Sequence, residues 1–363
     1  MSDEKAKEPI NSHGPEVPIY QLLFFLQELP VIFEIEKNLF RILVPSRIPL
    51  LKPPVNLYFF AYQDGLLWDA GYGTRNDIKT VMKALEIISQ IMESRGESCQ
   101  VSRILVSHGH GDHFAGLYKL RHLTGAKILL TSATAKKISS AEAYRKAWQE
   151  NTGFPQPRPP ALLGLIFPVI EWIQEKTFGM QWVNEPDEII AESGVLQAGN
   201  RLLSYFPIPG HSDDHLALYD AAAGFLFSGD QVLRTITPWL GPPKGSINDY
   251  EISLKKLQRL KNLKIIFPAH GSPIEEPQKH LDHALAHSRK RTLKVSKEIQ
   301  NAGDNGISFY PLLKKIYPKA SSVTRISAEG WVLLTLHMLM DEKKIRTKNK
   351  AGKWYFYPMV KDL

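Results

Sequence analysis

A single cysteine, Cys99, in 363 residues excludes a disulfide framework and a thiolate-rich metal site. Any metal held by this chain must be bound through imidazole and carboxylate. Long hydrophobic runs are missing as well. The two best stretches are 20–33 and 161–170. Gln27, Glu28 and Pro30 interrupt the first, and the second is about half the ~20 apolar residues that a membrane helix needs. The N-terminus, MSDEKAKEPINSHG, is polar and mixed in charge, without the basic-then-apolar layout of a leader. These absences predict a cytoplasmic protein with no stable membrane insertion. No internal repeat and no low-complexity segment is present.

What is there is an ordinary globular composition, 43% apolar and 23% charged, enough for a sizeable core. The net charge of +8 is unevenly placed. From Ser288 onward there are sixteen Lys and Arg against six Asp and Glu; before it, twenty-nine against thirty-one. All of the surplus thus lies in the C-terminal fifth. Solubility explains it blandly; attraction of an anionic partner or substrate explains it more sharply.

Residues 1–15 read as a disordered tail. β-rich runs follow at 31–35, 39–44, 56–62 and 66–68, the last ending at Asp69-Ala-Gly71. Apolar spacing at Ile78, Val81, Met82, Leu85 and Ile88 predicts a helix over 75–94. A buried strand at 104–106 then runs into a histidine cluster. A helix at 116–124 and a strand at 127–130 complete an alternating α/β stretch. Residues 133–182 differ: they read as helices with a Pro-rich break at 154–160 and an apolar second half, a helical insert capping the core or, equally by pattern, a core helix pair of the main domain. Strands resume at 194–196, 202–207, 216–219 and 224–227. A helix over 250–262 and a strand over 264–267 follow.

The cluster is Ser107-His108-Gly109-His110-Gly111-Asp112-His113. It sits on a loop between a strand and a helix. Alternation in an extended loop points His108 and His110 the same way, so two imidazoles grip one ion. After a turn, Asp112 and His113 reach a second. Gly109 and Gly111 permit close approaches that side chains would prevent. Three later segments repeat the arrangement: Pro209-Gly-His211-Ser-Asp-Asp-His215, Ser228-Gly-Asp230 and Pro268-Ala-His270-Gly271. Each begins where a strand ends, the place where α/β sheets build ligand sites. Any one of these histidines alone is more often structural; the set argues for metal. His280, His283 and His287, at helical spacing, read as a solvated helix face. His122 and His337 read as packing residues, and Trp68 as core. Cys99 sits in a loop with no marked partner.

In order, these five motifs resemble the metallo-β-lactamase superfamily, over residues 31–277. The resemblance implies an αββα sandwich. It implies that His108, His110 and His211 hold one metal and that Asp112, His113 and His270 hold another. Asp230 would bridge the two, and Asp69 and His215 would orient the ligands from behind. It implies two zinc ions, with iron or manganese suited to the same donors, and hydrolysis by a metal-bound hydroxide. Asp112 would also shuttle a proton to the leaving group. Histidine at 110, where the flavodiiron branch of the superfamily has glutamate, argues against redox activity.

The rest of the chain reads as helix to 300, helix 308–317, helix 321–341 and a hairpin over 344–357. That order suits a small winged-helix-like domain over 278–363, after a catalytic domain over 16–277. With the core, it resembles the beta-lactamase-like protein 2 group, whose members include endoribonucleases. Related chains with such a tail are thioesterases. Two substrates are therefore expected in turn. An ester, thioester or lactone with an apolar acyl group suits the apolar insert. RNA, cut as a phosphodiester, suits the basic tail. A third reading is a non-enzymatic nucleic-acid binder with a vestigial site, against which the intact ligand set weighs. Winged helices also serve as dimerisation modules, so a homodimer is a further expectation.

Overall fold

The computed structural model describes residues 30–46, 48–49, 51–149, 173–234, 238–241, 244–319 and 322–359. The β-branched and aromatic runs of its first half form seven strands. They are β1 (Val31–Glu36), β2 (Leu39–Val44), β3 (Val55–Phe60), β4 (Gly65–Trp68), β5 (Val101–Leu105), β6 (Lys127–Thr131) and β7 (Glu188–Ile190). They lie side by side in sequence order. Pairing is antiparallel from β1 to β4, where the connections are short. It turns parallel from β4 to β7, where longer crossovers intervene. A second sheet holds β8 (Gly194–Ala198), β9 (Arg201–Pro207), β10 (Leu216–Asp220), β11 (Phe225–Gly229) and β12 (Ile265–Pro268), in the order β12-β11-β10-β9-β8. Within it, β11 and β12 pair in parallel, across the helix Ile247–Gln258.

The sheets face each other over an apolar interior. Tyr58, Phe60, Trp68 and Leu105 come from the first sheet and Leu203, Leu218, Phe227 and Phe267 from the second. Tyr58 and Phe60 meet Phe227 edge to face, with centroids 4.9 and 5.3 Å apart, the geometry aromatic quadrupoles prefer. Helices cover the outer faces. The helix Arg75–Ser94 starts where the Thr74 side chain accepts from the Asp77 amide, a standard N-cap. It lays Ile78, Val81, Leu85, Ile88 and Met92 on the first sheet. The helices Ile247–Gln258 and Pro277–Ala302 lie on the second. The result is the expected αββα sandwich.

Beyond the sandwich come β13 (Ile307–Ser308), the helices Phe309–Ile316 and Ser322–Asp341, and the hairpin β14 (Ile345–Lys350) and β15 (Lys353–Pro358). β15 is the centre of their three-stranded sheet. Among the described residues, this region shares its apolar core with the sandwich. Leu312, Trp331, Leu336 and Phe356 belong to one apolar cluster with Ile208, Leu226 and Leu254 of the sandwich.

Some expectations change. The strand pattern missed β7 and β13, which are only three and two residues long. His122, expected to pack, is exposed; its Nδ1 bonds the Tyr118 carbonyl at 2.8 Å, so it lies on the outer side of its helix. The insert begins with the helices Ser132–Ile138 and Ala141–Gln149. Its Pro-rich break and apolar run, like residues 1–15, lie outside the described residues. Among the described residues, no helix is long and apolar enough to cross a membrane.

Candidate metal centre

The C-terminal ends of β4, β5, β9, β11 and β12 converge on one edge of the sandwich, and every motif read from the sequence sits there. β5 leads through Val106 into Ser107 and His108. His110 remains extended, with φ −90° and ψ 150°, so the rings of His108 and His110 face inward with centroids 4.4 Å apart. Gly111–Phe114 then forms one turn of helix, which presents Asp112 and His113 to the other side.

The donors fall into two groups, each with its ligand atoms within 4.8 Å of one another. The first is His108, His110 and His211. The second is Asp112, His113, Asp230 and His270. These are the seven positions expected from the motifs. In the first group, His211 Nε2 lies 3.1 Å from His108 Nε2 and 2.8 Å from His110 Nδ1. In the second, His270 Nε2 is 3.2 Å from Asp112 Oδ2 and 3.4 Å from Asp230 Oδ1. Asp230 lies between the groups: its Oδ2 is 3.6 Å from His113 Nε2 and 3.7 Å from His211 Nε2.

Most of the far ring nitrogens are tied down. His211 Nδ1 donates to the Trp239 carbonyl and His270 Nδ1 to the Pro54 carbonyl, both at 2.6 Å. His108 Nδ1 lies 2.9 Å from Ser107 Oγ, and His113 Nδ1 lies 3.0 Å from Asp69 Oδ2. A nitrogen that donates outward leaves its partner nitrogen with a lone pair aimed inward. In the first group, where burial favours neutral rings, such lone pairs facing one another at about 3 Å repel unless a cation lies between them. Tetrahedral zinc with bonds of ~2.0–2.1 Å would set its nitrogens about 3.3 Å apart. His113 Nε2 and Asp230 Oδ1 are moreover buried without a hydrogen-bond partner. The donor set therefore fits two cations.

The two groups differ in charge. Burial, reinforced by neighbouring histidines, lowers the pKa of His108 and His110 well below the ordinary value. Burial lowers that of His211 too. Burial also opposes charge in the second group, but there the carboxylates win. Asp69, Asp112 and Asp230 hold His113 well above its usual range. Asp230 and Asp112 lift His270 to about 10. In return, His113 and His270 hold Asp112 down at about 2 against its own burial.

The supporting residues fall where expected. Asp69 is fully buried, accepts from the Ser107 amide at 2.6 Å and faces His113. His215 stacks on His108 at 4.6 Å, accepts from the Asp230 amide at 3.1 Å, and is held by burial and His211 at about 3. Other residues carry no motif signal. Lys137 Nζ reaches Ser212 Oγ at 2.9 Å and Asp214 Oδ1 at 2.5 Å. Asp214 Oδ2 accepts from the Gly109 amide at 2.9 Å. A Cβ at Gly109 would lie 2.8 Å from Lys137 Cδ, so the close approach expected there is real. Asp214 lies inside a motif that could have drawn attention to it; Lys137 stands alone.

An aromatic wall borders the first group. Trp148 stacks on His110 at 5.1 Å and 29°. Tyr144 and Trp239 each lie 6.0 Å from Trp148, and Trp182 lies 5.3 Å from Tyr144. The helix Ala141–Gln149 supplies Tyr144 and Trp148, so the described part of the insert does border the donors. His280 bonds the Leu233 carbonyl at 2.9 Å, and His283 and His287 are exposed. None of these three belongs to a donor group among the described residues.

Comparison with known proteins agrees with this geometry. Residues 54–270 match the metallo-beta-lactamase superfamily. The chain is 24% identical over 304 residues to a probable metallo-hydrolase of Bacillus subtilis, covering 81% of this chain and 90% of that one. It is 24% identical over 258 residues to a beta-lactamase-like protein 2 homolog of Caenorhabditis elegans, covering 70% of each. It is 26% identical over 200 residues to the acyl-coenzyme A thioesterase MBLAC2 of Gallus gallus, covering 54% of this chain and 64% of that one. Among solved structures, a beta-lactamase domain protein from Burkholderia ambifaria superposes with a TM-score of 0.73. It is 16% identical, over 94% of this chain and 98% of that one. A metallo-beta-lactamase family protein from Thermus thermophilus superposes at 0.64. It is 21% identical, over 90% and 100% of the chains. At such identities the structures speak for the fold.

Proposed function

The chain belongs to the metallo-beta-lactamase superfamily of metal-dependent hydrolases, and from that premise we propose that it cleaves an ester, thioester or lactone with an apolar acyl group. The aromatic wall carries this reading. Trp148 and Trp239 stand beside His110 and His211, where the apolar part of a substrate would lie while its carbonyl meets the donors. The similarity to an acyl-coenzyme A thioesterase supports a thioester within that class.

His108, His110 and His211 would hold one ion, and Asp112, His113 and His270 the other, with Asp230 between them. Zinc suits imidazole and carboxylate donors without thiolate. A bound pair of ions supplies Lewis acidity and acidifies water near neutral pH. The chain supplies the rest. Asp69 and Ser107 fix His113 and His108 so that their lone pairs point inward. The indoles of Trp148 and Trp239 keep bulk water from one side. Asp112, ionised and at the edge of its group, is the base that would carry a proton to the leaving group. A cytoplasmic setting and a small-molecule acyl partner go with this reading.

The test is a panel of acyl-coenzyme A thioesters and aryl esters after zinc reconstitution. Turnover is expected to vanish with chelator and return with zinc. Trp148→Ala is expected to raise KM about 10-fold for long chains and little for acetyl, in line with losing an apolar pocket wall. No turnover by a protein shown to hold two ions would sink the proposal.

One observation favours a second reading. On the hairpin, in the tail read as winged-helix-like, Arg346 pairs with Tyr357, Lys348 with Tyr355 and Lys350 with Lys353, which gathers four cations on one face beside the half-buried Tyr355. A metal-dependent endoribonuclease would use such a face. Its signature is salt-dependent binding and cleavage of single-stranded RNA.

A further inference from the structure

The segment 238–241 touches the centre twice. The Trp239 carbonyl accepts from His211 Nδ1 at 2.6 Å, which turns His211 Nε2 toward the other two histidines. The Trp239 indole, 42% exposed, lies 6.5 Å from the His211 ring. No strand or helix contains this segment. It lies against the helix Ser322–Asp341, far away in sequence. A Cβ on Gly330 would lie 2.6 Å from the Leu240 carbonyl oxygen and 2.8 Å from the Gly241 Cα. Leu240 itself is 1% exposed and clusters with Trp331, Val332 and Leu334. One turn along the helix, a Cβ on Gly245 would lie 2.9 Å from Leu334 Cδ1.

Glycine in a helix interior is less favourable than alanine. Gly330 sits well inside the helix Ser322–Asp341, more than a turn from either end, so no cap explains it. The backbone of 240–241 does, because it occupies the space a side chain would need.

We propose that Gly330 is a positioning residue for the metal centre: the C-terminal helix, through its glycine, sets the height of the 238–241 segment, and with it the orientation of His211 and the width of the aromatic wall. The inference rests on the reading of His211 as a metal ligand. It makes the C-terminal region part of the site rather than an appendage, without needing any residue of that region to touch substrate.

The test is Gly330→Ala in the full chain. The added methyl meets backbone, which cannot swing aside, so the segment must move. Zinc affinity is measured by chelator competition, and the visible spectrum of the cobalt-loaded protein reports its ligand geometry. One of the two ions is expected to bind about 10-fold more weakly, the loss typical of a disturbed outer partner of a ligating histidine. The cobalt bands should shift, and KM should rise for long acyl chains more than for short ones. Should Gly330→Ala not fold, the same readouts are taken on Leu334→Ala, which removes bulk one turn further along the same helix, where Leu334 packs against Gly245 next to Gly241. A folded variant with parental affinities and an unchanged cobalt spectrum overturns the inference alone. Failure of the parent chain to take up two ions overturns the metal reading beneath it.

Discussion

Asp69 shows how much a single residue carries in this fold. It adopts φ 67°, a left-handed conformation that costs a non-glycine residue about 1–2 kcal/mol. Its buried carboxylate is held by the Ser107 amide and faces His113 Nδ1, so the strain is fixed by the contacts that orient His113. Asp69→Asn keeps the shape and removes the charge. It is expected to weaken the second ion about 10- to 100-fold by chelator competition, with little effect on the first. A second expectation follows from the contrast in charge between the two donor groups. His270, lifted to about 10, and His113, raised as well, hold a proton more firmly than an ordinary imidazole. A metal must displace those protons, on the order of two of them. The histidines of the first group, held low by burial, have none to lose, and Asp112 at about 2 is already ionised. Affinity at the second group should therefore climb as pH rises toward 10, while affinity at the first stays level through neutrality. Calorimetric titration with zinc in buffers of different ionisation enthalpy measures the protons released. Equal release from both groups would contradict this picture.

At the scale of elements, two loops must be held in register for His110 and His211 to meet. Lys137, from the helix Ser132–Ile138, ties them by binding Ser212 and Asp214, while Asp214 takes the Gly109 amide. Lys137 and Asp214 are both buried. Burial opposes the Asp214 carboxylate, but Lys137 holds its pKa below the ordinary range. That contribution is present above the normal aspartate pKa and is lost as pH falls through the depressed one. Lys137→Met strands the carboxylate and is expected to cost about 3–5 kcal/mol in urea unfolding at neutral pH. Adding Asp214→Asn should recover part of the loss. Nothing in the sequence pointed to Lys137, because a lone lysine on a short helix has no spacing to betray it. Trp148 and Trp239 were hidden for the same reason: each reaches the donors from a separate segment, by tertiary contact alone. The donor residues themselves were legible, since each follows directly on a strand end or a tight turn and the order of the motifs repeats a known pattern. The long strands and helices were legible from periodicity, with errors of a few residues at their ends. β7 and β13 were not, being too short to show alternation and held in place by their neighbours.

For the whole molecule, the question is whether the C-terminal region is a separate unit. The helix Pro277–Ala302 buries Leu281 and Leu285 near its start and Val295 and Ile299 near its end, all in one cluster. That cluster continues into Leu312, Trp331 and Phe356 on one side and Leu226, Leu254 and Ile266 on the other. Among the described residues, the apolar cluster thus runs across the place where an independent domain would have a boundary with few crossing contacts. Between the two parts, the Arg291 guanidinium lies 3.9 Å over the Trp331 ring and bonds the Tyr317 hydroxyl at 2.7 Å, a link made by a partly desolvated cation. Equilibrium unfolding followed by far-ultraviolet circular dichroism and by tryptophan fluorescence should therefore give one coincident transition. A chain ending at Ala302 would bare the apolar outer face of the second sheet's helices. It is expected to aggregate rather than persist as a stable catalytic core. Two resolved transitions, or a soluble truncated chain that still binds two zinc ions with parental affinity, would show the C-terminal region to be separable. The second result would also remove the support that the 238–241 segment draws from Gly330.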